Sequence, residues 1–154
     1  MLVVAGWMMG QHFSAGFDKR LASCRSLQRG IHRLEAGLRT HQEFWQMIAG
    51  MELQGREGQA LKLAGEKIRQ GADPDQEFWY QVFDQWPQED RSQFAAGFTQ
   101  LARGDRMLRE AQLAELQRYI AQRIETLQQE KSSCSRLYRN LGALLGTAAA
   151  IRVL

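Results

Sequence analysis

The sequence predicts an all-α protein, a helical bundle of about five to six helices whose long first and last members extend into a membrane. Leu, Ala, Gln, Glu and Arg recur throughout, and the 154 residues hold only two prolines, a composition that favours helix over strand. Apolar residues return at steps of three and four near both ends. Alternating strand-type runs are absent. The length suits one domain, and 44% hydrophobic with 24% charged residues excludes disorder and collagen-like repeats. Two cysteines form no disulfide framework, which points to a reducing compartment.

The elements follow in order. Phe17, Leu21, Cys24, Leu27, Ile31, Leu34 and Leu38 make one apolar stripe on a long first helix. Thr40 and Glu43 have the spacing of a capping box and predict a helix start. Gly55 to Gly58 and Gly71 to Pro74 read as turns. Asp73 followed by Gln76, with Pro74 between, predicts another start. Pro87, with Glu89 and Asp90 behind it, begins a further helix and sets acids at its positive end. Gly104-Asp105 breaks the chain before the last helix. That helix carries Leu113, Leu116, Ile120, Ile124, Leu127, Cys134, Tyr138, Leu141 and Leu145 on one stripe, and no proline interrupts residues 88–154. The centre holds an internal repeat: QEFW stands at 42–45 and again at 76–79, an offset of 34. The same offset sets Gln54 on Gln88, Gln59 on Gln93 and Arg69 on Arg103. Two copies of a helical hairpin account for it, in a pseudo-symmetric bundle without the tetratricopeptide signature.

The charge distribution divides the chain into segments 1–17, 18–140 and 141–154. Residues 1–17 carry no charged side chain and residues 141–154 only Arg152, while 18–40 balance to +4, 131–139 to +3 and 41–130 to −5. Two apolar ends bordered by basic collars predict membrane segments, with the intervening bundle held in the cytoplasm. As helices the ends reach roughly 25 Å and 21 Å, against about 30 Å of hydrocarbon. Two buried helix ends of a soluble protein are the competing reading. No basic region precedes the first apolar run, which fits a secretory signal poorly. Gly6 and Gly10, and again Gly142 and Gly146, form GxxxG pairs of the kind that lets helices pack closely in lipid. Cys24 and Cys134 each lie seven residues inside their terminal segment. For antiparallel end helices leaving one membrane face, that symmetry sets the thiols at one height.

No catalytic constellation emerges. His12, His32 and His41 lack ligand spacing, CxxC and HExxH are absent, and no phosphate loop occurs. No cofactor or metal is expected, and Trp45 and Trp79 read as core. The chain is expected not to be an enzyme.

TQLARGDR at 99–106, the amphipathic helix after it and KSSCSRLYRNLGALLG at 131–146 resemble the stage III sporulation protein AB family. Leu101, Asp105, Tyr138, Leu141, Gly142 and Gly146 match its motif, and Leu34-Glu35 is similar to its Leu-Glu pair. The family's glycine after Leu101 is Ala102 here, and its glutamine is Arg109. The resemblance implies a non-enzymatic subunit similar to type II secretion and pilus platform proteins. It would serve the channel between mother cell and forespore, in the outer forespore membrane on the mother-cell side. The implied partners are the other channel proteins, including the operon's cytoplasmic secretion-type ATPase, together with membrane lipid and further copies of the chain. Nucleic acid is not among them. The acidic middle offers a docking surface through Glu77, Asp84, Glu89 and Asp90. A platform subunit outside sporulation and a soluble helical adaptor are the alternatives.

Overall fold

A computed structural model describes the helical course of residues 2–153 and, in side-chain detail, residues 15–141 and 144. Six helices and no strand occur among the described residues: α1 (Leu2–Arg39), α2 (Phe44–Ala49), α3 (Gly55–Arg69), α4 (Gln76–Val82), α5 (Gln88–Arg103) and α6 (Arg106–Val153). Two compact units are present, Ser26–Ala121 and Met1–Arg25 with Gln122–Leu154. Their borders fall inside the two long helices, whereas the charge pattern divides the chain near residues 17 and 140. Packing marks where α2 to α5 end, and charge marks where the apolar termini begin.

In the unit 26–121, the stripe expected on α1 is core: Leu27, Ile31, Leu34 and Leu38 are buried, as are Leu113, Leu116 and Ile120 of α6. The repeat resolves into two hairpins, α2 packed on α3 and α4 on α5, with α3 touching α4. The offset of 34 matches the last residue of α3, Arg69, with the last residue of α5, Arg103. Repeat-equivalent Phe44 and Phe78 both stand edge-on to Trp79, at centroid distances of 6.1 and 5.1 Å. Trp79 is fully buried and packs on Phe98 at 5.0 Å, while Trp86 meets Phe94 at 4.9 Å. Each such ring pair contributes about 0.5–1.5 kcal/mol beyond its buried area. Trp45, by contrast, is half-buried, with the Arg69 guanidinium over its ring at 5.8 Å.

Three helix boundaries differ from expectation. Thr40 ends α1 instead of starting α2: its hydroxyl donates back to the Gly37 carbonyl at 3.1 Å, and His41 turns the chain at φ 56°. Glu43 caps α2, its N–H donating to Gln46 Oε1 at 3.3 Å. At α4 the cap is Asp75, whose Oδ1 accepts from the Phe78 N–H at 2.8 Å, while Asp73 pairs with Arg103. Gly55 lies at the start of α3 with φ +72°, and Gly58 lies within that helix against the Leu53 carbonyl. The glycine pair opens a helix instead of forming a turn. The expected break at Gly104-Asp105 is present between α5 and α6.

The other unit contains the outer parts of α1 and α6. Leu21, Cys24 and Leu127 are buried there, Phe17, Ile124 and Tyr138 half-buried, and Lys131 Nζ donates to Asp18 Oδ1. Among the described residues no helix is long and apolar enough to cross a membrane. Extension of the terminal helices into a bilayer is thus not carried by the fold, since Gln11, His12 and Ser14 dilute one end and Arg139, Asn140 and Arg152 the other. Gly6, Gly10, Gly142 and Gly146 lie outside the residues described in side-chain detail.

Candidate functional site

The acids expected to form a docking surface lie on α4, the turn behind it and the first turn of α5. Glu77, Asp84 and Glu89 are exposed, and Gln81 Nε2 donates to Glu77 Oε1 at 3.3 Å. Asp90 departs from the expected surface role, being only 2% exposed and accepting from the Tyr119 hydroxyl at 2.7 Å. It is an internal tie between α5 and α6, so the solvent-facing set has three carboxylates. Arg91, next in sequence, turns away and donates from Nε to the Tyr80 carbonyl, its guanidinium 3.7 Å from the Tyr80 ring centroid. That contact ties the first turns of α5 to α4.

The motif residues divide between packing and capping. Leu101 is core, and Asp105 caps α6 by accepting from the Leu108 N–H at 2.8 Å. An acceptor at a helix start satisfies one of the otherwise orphaned amides. Tyr138 is half-buried and Leu141 exposed on the outer part of α6. Within the Leu-Glu pair, Leu34 is buried while Glu35 takes a hydrogen bond from Gln117 at 3.1 Å and one from Arg39 at 2.8 Å. The Gln117 bond, with the Arg39 bond and charge behind it, holds the Glu35 carboxyl below the ordinary carboxylate range, while burial acts the other way.

Arg109 and Ala102, the two positions that depart from the motif, meet: Arg109 Nη2 donates to the Ala102 carbonyl at 3.4 Å. The same guanidinium lies 5.6 Å from the Phe44 centroid, and its buried Nε has no hydrogen-bond partner. Sequence reasoning missed this clasp, the Asp105 cap and the Tyr119–Asp90 tie. An Asp just after a glycine and before an apolar helix signals the cap; nothing in the sequence signals the tie.

An open groove of about 340 Å³ lies where Glu35, Leu38 and Arg39 of α1 face Arg106, Glu110 and Leu113 of α6. Its charges pair internally, Arg39 with Glu35 and Arg106 with Glu110. Among the described residues no group of three His, Cys, Asp or Glu is placed to hold a metal ion.

The thiols do not share a height. Asp18 pairs with Lys131 and Glu35, further along α1, with Gln117, earlier on α6, so the two helices run antiparallel. With Asp18 opposite Lys131, Cys24 lies roughly 9 Å to one side along the axis and Cys134 roughly 4.5 Å to the other, at 1.5 Å per residue. Equal counting from the apolar ends fails because it ignores the register that the ion pair sets.

These features define an all-helical protein in which two long terminal helices and two repeated hairpins supply ties and caps. The chain belongs to the stage III sporulation protein AB family, whose description matches residues 1–154. A sporulation-related role follows from that membership. No curated protein and no solved structure matches the chain.

Proposed function

We propose that this protein is a non-enzymatic platform subunit of the channel between mother cell and forespore, coupling the operon's secretion-type ATPase to membrane components. The observation that carries the reading is family membership along the whole chain. Supporting it, the unit 26–121 has an aromatic core and leaves Glu77, Asp84 and Glu89 each exposed to solvent. Complementary charge across an interface sets encounter rate and orientation, so a basic surface of the ATPase fits these acids. The apolar ends and their basic collars attach the protein to the mother-cell side of the outer forespore membrane.

Binding of the full chain to the operon's ATPase tests the coupling. Reversing Glu77, Asp84 and Glu89 to Lys together should weaken binding by on the order of tenfold or more and remove most of its salt dependence. Unchanged binding by a folded variant would discard these acids as the dock. Attachment is tested separately, by fractionating the full chain with a high-salt and alkaline wash.

A further inference from the structure

α3 turns an uncompensated basic strip to solvent. Arg56, Lys62 and Lys67 are all exposed, and among the described residues no carboxylate pairs with any of them. The acids of the same helix are engaged. Glu66, four residues after Lys62 and so placed to meet it, is instead held by Arg69 through Nε and Nη2 and by Gln70 at 3.3 Å. Glu57 is half-buried and already has a partner. Between the cations stands Leu63, 63% exposed on a helix whose buried side holds Leu61 and Gly65 about 160° away, at about 100° per residue. By the same geometry Arg56 and Lys67 lie only about 20° and 40° from Leu63, roughly 10 Å before it and roughly 6 Å after it along the axis. A cation therefore stands beyond each end of the leucine, on one outward strip about 16 Å long.

From this arrangement we infer that the outward strip of α3 docks an acidic amphipathic helix of another protein, which buries an apolar side chain on Leu63 and sets carboxylates against Arg56 and Lys67. The inference goes beyond the ATPase dock, which uses charges of the opposite sign on other helices. Cations without counter-charges select a partner that brings carboxylates and steer its approach. Position sharpens the case at Arg56. It lies in the first turn of α3, where the positive end of the helix disfavours a cation, so an incoming carboxylate answers the guanidinium and the helix end together. Spacing fixes the shape. Arg56, Ala60, Leu63 and Lys67 follow at four, three and four residues, the interval at which one helix meets another side by side. An extended polyanion fits less well, because the unit 26–121 holds 14 acidic against 12 basic residues and repels a nucleic acid or an anionic membrane as a whole. A short acidic helix meets the strip alone. Two copies of the chain joined strip to strip would oppose like charges.

The test is fluorescence anisotropy of the full chain with a labelled synthetic helical peptide that carries Glu, Leu and Glu at the matching spacing, beside the same peptide with Lys for Glu. The wild type should bind the glutamate peptide, less tightly as salt rises, and ignore the lysine peptide. Arg56→Glu with Lys67→Glu should weaken the first complex by on the order of tenfold or more and gain the second. Leu63→Gln should weaken the wild-type complex by on the order of tenfold, the worth of burying one leucine. All three side chains are exposed, so circular dichroism and the thermal midpoint should not move. No binding of the glutamate peptide by the wild type, or equal binding by the folded variants, would overturn the inference. So would sedimentation with phosphatidylglycerol vesicles, or retention of a single-stranded oligonucleotide, that the Arg56 and Lys67 changes abolish. Self-association of the wild type that the same changes abolish would give the strip to acids of a second copy and overturn it too.

Discussion

The hydroxyl of Tyr119 donates to Asp90 Oδ1 at 2.7 Å, joining the first third of α6 to the first turn of α5. Asp90 is almost wholly buried, and a carboxylate there needs donors to replace water. Tyr119→Phe should therefore destabilise the protein by about 1–3 kcal/mol, read by urea denaturation. Asp90→Lys should cost more, since it buries a cation where a hydrogen-bonded anion belonged. Charge reversal at Asp90 would then lower partner binding by unfolding, so docking experiments belong at Glu77, Asp84 and Glu89. A Tyr119→Phe protein as stable as the wild type would remove the tie from the account of the core.

Two glycines separate backbone need from helix propensity. A Cβ on Gly58 would sit 1.7 Å from the Leu53 carbonyl oxygen, a backbone atom that cannot move aside cheaply. Gly58→Ala should cost several kcal/mol, of the size seen for overpacking and beyond, because α3 must shift as a whole (about 3 kcal/mol or more). Gly16 is exposed on α1, with nothing within 4 Å of such a Cβ. Gly16→Ala should be neutral to stabilising by up to about 1 kcal/mol. Thermal melts of both variants decide it, and equal effects would contradict the packing described for α3.

The long helices were legible because burial on one side imposes a period that sequence displays directly: Leu27, Ile31, Leu34 and Leu38 are all core. The repeat was legible as a recurring tetrapeptide, but only its phenylalanines share a role, Phe44 and Phe78 both standing edge-on to Trp79 while Trp45 stays half-buried beside Arg69. Starts were harder. Thr40 and Glu43 satisfy the capping pattern, yet the Thr40 hydroxyl finds the Gly37 carbonyl closer at hand. Asp73 and Asp75 both precede α4, and only the long-range pairing of Asp73 with Arg103 tells which one is left to cap. Asp90 looks like any helix-start acid until α6 brings Tyr119 to it, 29 residues later. Local patterns state what a residue could do; tertiary neighbours decide which option is used.

The register between α1 and α6 gives a thiol prediction. A disulfide needs Cβ atoms about 3.5–4.5 Å apart, and the axial offset between Cys24 and Cys134 is on the order of 13 Å at the helical rise per residue. A mild oxidant should form no intrachain bond, and a thiol crosslinker shorter than about 8 Å should not join the pair. Maleimide should label half-exposed Cys134 well before buried Cys24. A non-reducing gel showing a compact, oxidised monomer would require α1 to slide along α6 and would break the Asp18–Lys131 pair.

Glu35 supplies the pH dependence. Its carboxyl titrates below the ordinary range chiefly through the Gln117 hydrogen bond, with Arg39 acting the same way. A depressed value in the folded state means that folding favours the ionised form. The resulting stability is present above the unfolded value of about 4.3 and is lost as pH falls through the folded one. Because the side chain is 38% exposed, solvent screens it, and the contribution should stay below about 1 kcal/mol. Glu35→Gln keeps an acceptor for Gln117 but removes the titration. Its denaturation midpoint should fall slightly near neutrality and converge with the wild type once the pH has dropped through the folded titration of Glu35. Glu35→Ala loses the tie as well, so it should stay less stable than the wild type at every pH. If Glu35→Gln and the wild type keep a constant difference across the acid range, the carboxylate's charge does not stabilise the contact between α1 and α6, and the hydrogen bond alone holds it.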